Sequence, residues 1–408
     1  MKQKTSLSLR LAMLPIVALV LLLSLNVSVY GDDALGGSNQ FILLLGGAVA
    51  AMVGFGQKIS YKDMLQQVAE NLKSVTGAIL ILLFVGALAG TWLVSGIIPA
   101  MIYYGLQILH PTFFLAACIV ICALISVATG SSWTTSATVG IALIGIGKAI
   151  GLPVGMIAGA VISGAYFGDK MSPLSDTTNL APAMAGGELF SHIRYMTITT
   201  VPTVLVTLVV FLIIGFTQDT TAVAQTEPLL LAIKERFSIS PLLFAVPIVV
   251  VVLIARKTPP LVALLIGTLL GAVFALLFQR PLLAELAEVA QLDITAGYKV
   301  IMDTITVSTA VETTNPMLND LFQSGGMAGM LGTIWLIICA MVFGGIMDAI
   351  GALKSISTAL LSWAESTFQL FASTVVSCLA INVTASDQYL SLVVPGKMFE
   401  QAYKDRNL

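Results

Sequence analysis

Long apolar segments recur along this chain and constrain its fold more than any other feature. Residues 11–29 and 260–278 contain no charged side chain, and each is about as long as a helix that crosses a bilayer. Hydrophobic residues make up 57% of the sequence and charged residues only 10%. A soluble domain carries about 25% charged residues. The sequence therefore predicts an all-α polytopic membrane protein.

Charges near the N-terminus predict the orientation in the membrane. Lys2, Lys4 and Arg10 precede the first apolar segment, and two aspartates follow it. Basic residues concentrate on the cytoplasmic side of membrane proteins, so the N-terminus is expected in the cytoplasm. The segment is longer than the apolar region of a signal peptide, so we interpret it as a retained helix. The expected location is the cytoplasmic membrane of a cell, as a multi-pass protein.

The alternation of apolar and polar segments predicts the order of elements. Transmembrane helices are expected over 9–29, 41–56, 75–98, 195–216, 239–255, 260–278 and 327–350. Pro202 is expected to interrupt the fourth of these helices, because proline removes a backbone donor. Residues 217–238 are expected to form a polar linker, and 57–74 and 282–298 are expected to lie on the membrane surface.

Residues 112–147 are apolar at both ends and polar in the middle, where Thr129-Gly-Ser-Ser-Trp-Thr-Thr-Ser136 lies. Each apolar flank has about 15 residues, fewer than the roughly 20 that a span needs. Two interpretations are open on these residues alone. One is a broken transmembrane helix, and the other is a re-entrant hairpin that enters and leaves on the same side.

A second polar interruption is Gly168-Asp-Lys-Met-Ser-Pro-Leu-Ser-Asp-Thr-Thr-Asn-Leu-Ala-Pro182. It brings Asp169, Lys170 and Asp176 to membrane depth, where an ionised aspartate costs about 2.5–3.5 kcal/mol. Its prolines break helices, and irregular backbone at that depth is tolerated only inside protein or beside a water-filled cavity. We therefore predict a broken helix over 153–186 that lines an ion or substrate site.

Two parts of the chain match at a constant offset of 255 positions. Gly96 corresponds to Gly351. Thr129-Gly-Ser131 corresponds to Thr384-Ala-Ser386 in a third polar interruption. If 112–147 is re-entrant, each repeat crosses the membrane five times and the second is inverted, which places the basic loops on one side. Inverted repeats with interrupted helices are typical of secondary transporters.

These matches predict the division of the chain. The first repeat covers 1–216, with the hairpin at 112–147 and the broken helix at 153–186. A linker covers 217–238, and the second repeat covers 239–408. The counterpart of 168–182 would fall beyond Leu408, so the second repeat is expected to be incomplete at its C-terminal end.

Three motifs carry a resemblance to a known family. They are the 168–182 stretch, the upstream Thr129-Gly-Ser-Ser-Trp-Thr-Thr135, and Ser324-Gly-Gly-Met327 within 319–330. Together they resemble the NhaC-type sodium:proton antiporters, a group that includes malate–lactate exchangers, over nearly the whole chain. The resemblance implies inverted repeats, paired re-entrant hairpins and discontinuous helices, with an elevator-like or rocking transport unit.

Buried carboxylates are the candidates for exchanging a proton and a cation. A low dielectric favours the protonated form of a carboxyl group, and the same oxygens can bind sodium instead of the proton. Asp169, Asp176 and Asp387 are predicted to share this duty. Oxygens of the polar interruptions are predicted to complete the sodium shell, because hard cations prefer oxygen ligands. These residues are Thr129, Ser131, Ser132, Ser175, Thr177, Asn179, Thr384 and Ser386.

Each candidate also has a structural interpretation. Asp169 can pair with Lys170, and Asp176 can cap a helix that begins after it. The hydroxyl groups can satisfy backbone groups that the breaks set free. Lys170 can neutralise a carboxylate, meet a carboxylate substrate or extend to the membrane interface.

The predicted function is secondary active transport that exchanges sodium for protons across the cytoplasmic membrane, with Na+ and H+ as transported ions and no cofactor. The alternative is a coupled exchanger of organic acids or amino acids, with a small carboxylate or amino acid as substrate. An ion channel would need a continuous polar path, and the isolated polar interruptions suit a transporter better. An enzyme would need a nucleophile with a base at membrane depth, and the sequence shows no such pair, so we do not predict an enzyme. The lipid bilayer is the expected surrounding, nucleic acid is not an expected partner, and a homodimer is left open.

Overall fold

A computed structural model describes residues 7–108, 110–173, 175–217, 226–256, 258–362, 364–385 and 388–406. The helices in chain order are α1 (Leu9–Tyr30), α2 (Ser38–Gly56), α3 (Tyr61–Val94), α4 (Ile97–Ile108), α5 (Pro111–Thr129), α6 (Ser132–Thr135), α7 (Ile141–Ala149), α8 (Val154–Met171), α9 (Asp176–Ala185), α10 (Leu189–Thr217), α11 (Thr226–Arg236), α12 (Ala245–Ala255), α13 (Pro260–Phe278), α14 (Arg280–Leu286), α15 (Ile294–Thr306), α16 (Pro316–Leu321), α17 (Leu331–Ala349), α18 (Ala352–Ser362), α19 (Thr367–Ala385) and α20 (Gln388–Lys404). Short 3₁₀ turns cover Gly31–Gly36, Pro241–Phe244 and Ala328–Met330, and a π turn covers Ser136–Gly140. Two short antiparallel strands, β1 (Thr309–Ala310) and β2 (Gln323–Ser324), place Thr309 opposite Ser324.

Six helices of the described chain are long and apolar enough to cross a membrane. They are α1, α2, α3, α10, α13 and the helix that contains α17. The pair Glu227–Arg236 and Pro241–Ile254, bent by 84°, would make a seventh if it forms a single span. The prediction of an all-α multi-pass membrane protein is confirmed.

Helix α3 is longer than the sequence analysis expected. The predicted surface segment at 57–74 and the predicted helix at 75–98 form one helix, Tyr61–Val94. No proline lies between these bounds, so the amphipathic first part continues without a break into the apolar second part. The helix ends where Gly96 takes a left-handed conformation, with φ of 79°.

Helix α10 runs through Pro202, so the predicted interruption at this proline was wrong. Proline is tolerated inside membrane helices because neighbouring hydroxyl groups and small adjustments satisfy the freed backbone groups. The carbonyl that Pro202 leaves without its helical donor is that of Ile198, next to the Thr199 carbonyl that accepts from Thr203 Oγ1 at 2.7 Å. Within the predicted linker at 217–238, residues 226–236 form α11.

By its internal contacts the chain divides into two compact units. The first combines Met1–Ile79, Leu180–Glu188 and Leu331–Leu408. In it α2 packs on both α1 and α17, and the apolar core includes Phe343 and Met347. These units group contacts and not sequence repeats, so the division into repeats over 1–216 and 239–408 stays a prediction.

The second unit combines Leu80–Asn179 and Leu189–Met330. Its main packing is between α5 and α8, and α10 lies against both of these helices. The larger apolar core of the molecule belongs to this unit and includes Phe114, Ile119 and Ile157. Several described side chains of the polar interruptions are buried in this unit, among them Ser132, Asp169 and Thr178.

Candidate functional site

Helix α8 lies directly on α5 because glycines remove the side chains between them. A Cβ added at Gly164 would collide with the Ile119 carbonyl, and one added at Gly168 would lie 2.5 Å from the Ala123 oxygen. Ser126 adds a hydrogen bond between the helices, since its Oγ donates to the Ala165 carbonyl at 2.6 Å. The Gly164-xxx-Gly168 spacing is typical of close helix contacts in membranes.

The polar middle of 112–147 is a break between helices. His110 caps the start of α5, where its ring accepts a hydrogen bond from the Thr112 amide. Helix α5 ends at Thr129, and Gly130 follows with φ of 69°, a left-handed conformation that glycine adopts without strain. Helix α6 begins at Ser132, so the end of one helix and the start of the next lie within three positions of each other. The broken segment is common to both interpretations of 112–147, and which side its ends reach stays a prediction.

Ser132 and Asp169 meet at the end of this helix pair. The Ser132 hydroxyl donates to Asp169 Oδ2 at 2.8 Å. Ser132 is 3% exposed and Asp169 is 9% exposed, so the carboxylate and its donor are both withdrawn from solvent. The two residues are 37 positions apart, and the packing of α8 on α5 and α6 brings them together.

The predicted broken helix over 153–186 is seen as α8, a turn and α9. Pro173 lies in the turn, between the buried residues Ser172 and Ser175. The α9 cap is Ser175, whose Oγ accepts from the Thr178 amide at 3.3 Å. Asp176 was one alternative for this cap, and the structure corrects it because Asp176 is already the first residue of the helix.

Threonine and asparagine side chains hold the turn together. Thr178 Oγ1 donates towards the Asp169 carbonyl at 3.1 Å and the Lys170 carbonyl at 3.3 Å. Thr177 Oγ1 lies 3.1 Å from Ser175 Oγ. Asn179 Nδ2 donates to the carbonyls of Pro173 and Ser175, at 2.8 Å and 2.6 Å. The Asn179 amide nitrogen therefore has a structural task in addition to any role of its carbonyl oxygen.

The other predicted site residues differ in what the structure says of them. Ser131 is half-buried, and its carbonyl accepts from Thr135 Oγ1 at 2.9 Å. Lys170 is exposed. The side chains of Thr129, Asp176 and Thr384, and the whole of Ser386 and Asp387, lie outside the described residues. The roles of this last group stay predictions.

Two contributors to the geometry were missed from the sequence. Thr178 was recognised as one of the side chains that offer an oxygen ligand but was not assigned to the site, and Ser126 was not singled out at all. Both are buried, at 3% and 0% exposure. Ser126 lies one turn before Gly130 on the face of α5 that contacts Gly168. This position could be recognised from the sequence only if the pairing of α5 with α8 were already known. Within the described residues no group of three His, Cys, Asp or Glu side chains could hold a resident metal ion.

Comparison with known proteins identifies a family and several similar sequences. A model of the Na+/H+ antiporter family matches residues 164–408. The chain is 35% identical to the Na+/H+ antiporter NhaC of Alkalihalophilus pseudofirmus, over 88% of this chain and 75% of that relative. It is also 35% identical to a malate-2H+/Na+-lactate antiporter of Bacillus subtilis, over 89% of this chain and 75% of the relative. An arginine/ornithine antiporter, ArcD of Halobacterium salinarum, is 29% identical over 97% of this chain and 79% of its own length. No solved structure matches the chain.

Proposed function

Because the chain belongs to the Na+/H+ antiporter family, we propose that it exchanges sodium ions for protons across the cytoplasmic membrane at a site that includes Asp169. One observation supports this site above the others. Among the side chains that the structure describes, Asp169 is the one charged group that is buried, and a buried hydroxyl group donates to it. Ionisable residues inside membrane proteins are costly and mark ion pathways and proton relays.

The chemistry of this proposal is a competition for one carboxylate. In the proton-loaded state Asp169 is neutral, and in the sodium-loaded state its charge and neighbouring oxygens hold the cation. A hydroxyl carries one hydrogen and two lone pairs, so Ser132 donates to the empty carboxylate and turns its oxygen to a bound cation. Since the site holds one ion or the other, movement of sodium one way returns protons the other way.

The same shell is proposed to include further oxygens of the two broken segments. Ser175 is buried beside Thr177 in the turn before α9, and Ser131 lies next to Ser132. Asp176, Thr129, Asn179 and the second set, Thr384, Ser386 and Asp387, rest on the sequence pattern alone. We assign Asp176 and Asp387 to share the proton and cation duty with Asp169.

A cation suits the site better than an organic anion. Among the residues that the structure describes, Ser132 and Thr178 are buried and bond to Asp169 through neutral hydroxyls, and Lys170, the adjacent basic residue, is exposed. A carboxylate substrate would need a positive partner to offset the Asp169 charge. The names of two relatives, a malate–lactate and an arginine/ornithine antiporter, keep coupled exchange of a small carboxylate or amino acid as the second candidate.

Further proposals concern the arrangement of the chain. We propose that the N-terminus lies in the cytoplasm, as the basic residues before α1 favour. We also propose inverted repeats over 1–216 and 239–408. Helices α3 and α17 end at Val94 and Ala349, which are 255 positions apart, and Gly96 and Gly351 follow with φ of 79° and 74°. This agreement in element bounds supports a repeat and leaves its inversion to experiment.

The proposal is tested by sodium-driven proton flux in proteoliposomes. For the wild type, external sodium should collapse a preset pH gradient. Asp169→Asn should abolish this flux because the amide at position 169 can neither exchange a proton nor hold a cation by charge. Ser132→Ala should raise the sodium concentration for half-maximal flux roughly tenfold, the effect of losing one hydrogen bond to a charged group. Asp303→Asn is the matched control, since Asp303 is exposed on α15. Asp176→Asn tests the second carboxylate.

Two outcomes would change the conclusion. Full sodium-driven flux in Asp169→Asn would remove Asp169 from the site. A wild type that is silent with sodium alone, but active once malate, lactate or arginine is supplied, would replace the antiporter with the coupled exchanger.

A further inference from the structure

The hydroxyl group of Thr178 joins the two halves of the broken helix. Its oxygen lies 3.1 Å from the Asp169 carbonyl and 3.3 Å from the Lys170 carbonyl, and both acceptors belong to the last turn of α8. Thr178 itself belongs to the first turn of α9, where its amide donates to Ser175 Oγ. The residue is 3% exposed. One side chain therefore bonds to the end of one helix from the start of the next.

The Thr178 hydroxyl bonds to carbonyls at the C-terminal end of α8. The last carbonyls of a helix have no partner within it, and a carbonyl without a donor at membrane depth costs free energy. The Ser172 amide donates to the Asp169 carbonyl at 3.3 Å, and the Thr178 hydroxyl adds one hydrogen, shared between the Asp169 and Lys170 carbonyls, from the far side of the Ser172–Ser175 turn. A valine of nearly the same shape would fill the space and supply none.

Other contacts fix α8 against α5, and the Ser172 amide bonds to the Asp169 carbonyl from the residue that directly follows the helix. Gly164 and Gly168 seat the helix on α5, and the Ser126 hydroxyl holds the Ala165 carbonyl. The Thr178 bond is the one that reaches the main chain of Asp169 itself from the next helix. The side chain of the same residue accepts from Ser132 at 2.8 Å. Asp169 is thus held through its carbonyl by Thr178 and through its carboxylate by Ser132.

We infer that Thr178 is a positioning residue for ion exchange: by anchoring the carbonyl of Asp169 it sets the distance between the Asp169 carboxylate and the Ser132 hydroxyl. This inference rests on the proposed function of Asp169. Loss of the anchor lets the last turn of α8 move, which weakens the Ser132 bond to the charged carboxylate and favours the protonated form. Exchange then reaches half its maximum at higher pH and needs more sodium.

The titratable groups near this site stay the same in such a variant. On α8, the elements packed against it and α9 they are, besides Asp169 itself, Cys118, Cys122, Lys148, Tyr166, Lys170, Asp176, His192, Arg194 and Tyr195. A Thr178 substitution removes none of these groups, and the double variant with Ser132→Ala distinguishes an effect on the Asp169–Ser132 pair from an effect on Asp176, two residues before Thr178.

The experiment compares Thr178→Val, Thr178→Ser and a matched control in proteoliposomes. Thr91→Val is the control, because Thr91 is also fully buried in the second unit and, among the described residues, its hydroxyl bonds to the Ala87 and Leu88 carbonyls of its own helix. Thr178→Val should move the half-maximal pH upward by up to about one unit and raise the half-maximal sodium concentration several-fold. Thr178→Ser should restore both values, and Thr91→Val should leave them near wild type.

A double variant tests whether Thr178 acts through Ser132. If it does, Ser132→Ala with Thr178→Val should shift the profile no further than Ser132→Ala alone, since the bond that Thr178 positions is already gone. Additive shifts would show an independent role and overturn the inference, as would a Thr178→Val protein that loses thermal stability but keeps the wild-type profile. Asp169→Asn separates the two claims: if it retains exchange, the site itself is wrong, and if it is silent while Thr178→Val is unchanged, only the positioning role fails.

Discussion

Substitution of Gly168 by alanine tests how closely the site depends on the contact between α5 and α8. The added Cβ would lie 2.5 Å from both the Ala123 carbonyl oxygen and Ser126 Cβ, and 2.6 Å from the Val127 nitrogen. Ordinary contact begins at about 3.5 Å, so α8 has to move away from α5 by about 1 Å. None of the three atoms is the end of a flexible side chain, so the movement falls on the helices.

The consequence for the site follows from this displacement. Ser132 Oγ and Asp169 Oδ2 are 2.8 Å apart, and a movement of about 1 Å separates them beyond hydrogen-bond distance. We expect Gly168→Ala to lose roughly tenfold to a hundredfold in sodium-driven proton flux, the usual cost of misplacing a reacting group by about 1 Å. Overpacking should also lower stability by about 1–3 kcal/mol, read as a lower unfolding temperature in detergent.

The control for this prediction is on the same helix. A Cβ added at Gly155 meets nothing within 4 Å, so Gly155→Ala makes the same chemical change without the collision. It should keep wild-type flux and equal or slightly higher stability, because alanine favours helix. Wild-type flux and unfolding temperature in Gly168→Ala would refute the idea that the glycine contact holds Asp169 against Ser132.

Two further predictions concern stability. Gly96→Ala should destabilise the protein more than Gly351→Ala. Both glycines have left-handed backbone, but a Cβ at position 96 would collide with the Gln279 amide, whereas nothing lies within 4 Å of a Cβ at position 351. Unfolding temperatures in detergent measure the difference, and equal losses would contradict the prediction. The bidentate pair of Arg236 with Glu285 lowers the pKa of the Glu285 carboxyl in the folded protein. The pair therefore adds to the free energy of unfolding above the unfolded-state pKa, and this addition disappears as pH falls through the folded-state pKa. Glu285→Gln should therefore cost less than about 1 kcal/mol of unfolding free energy at neutral pH, since the Glu285 side chain is 57% exposed. The difference from wild type should close on acidification, and a difference that widens in acid would show the opposite linkage.

Uninterrupted apolar segments were the most predictable part of the fold. The predicted helix at 260–278 matches α13 at both ends, because Pro259 and Pro260 begin it and the apolar run stops at Gln279. Helix α3 was predicted in two pieces because a change from amphipathic to apolar composition resembles a boundary when no tertiary contact is known. Pro202 misled in the same way, since the tolerance of a membrane helix for proline depends on local backbone adjustments that the sequence does not display.

The candidate site was predictable as a set of residues but not as an arrangement. Asp169 and Ser132 stand out as polar groups in apolar surroundings, yet their contact depends on helix pairing across 37 positions. Thr177 and Thr178 are adjacent residues of the same type, so the sequence alone does not show which of them is buried. Burial separates them, because Thr178 turns towards the end of α8 and Thr177 stays half-exposed beside Ser175.

The π turn at Ser136–Gly140 determines where this chain can change in length. Such a turn holds one residue more than an α turn, so deletion of a single residue there leaves regular helix on both sides. A deletion between Gly164 and Asp169 has a different result, because each residue of an α-helix advances the face by about 100°. Asp169 would then turn away from Ser132 while Gly164 stayed on α5. We therefore expect related chains to tolerate the loss of one residue within 136–140 and not within 164–169.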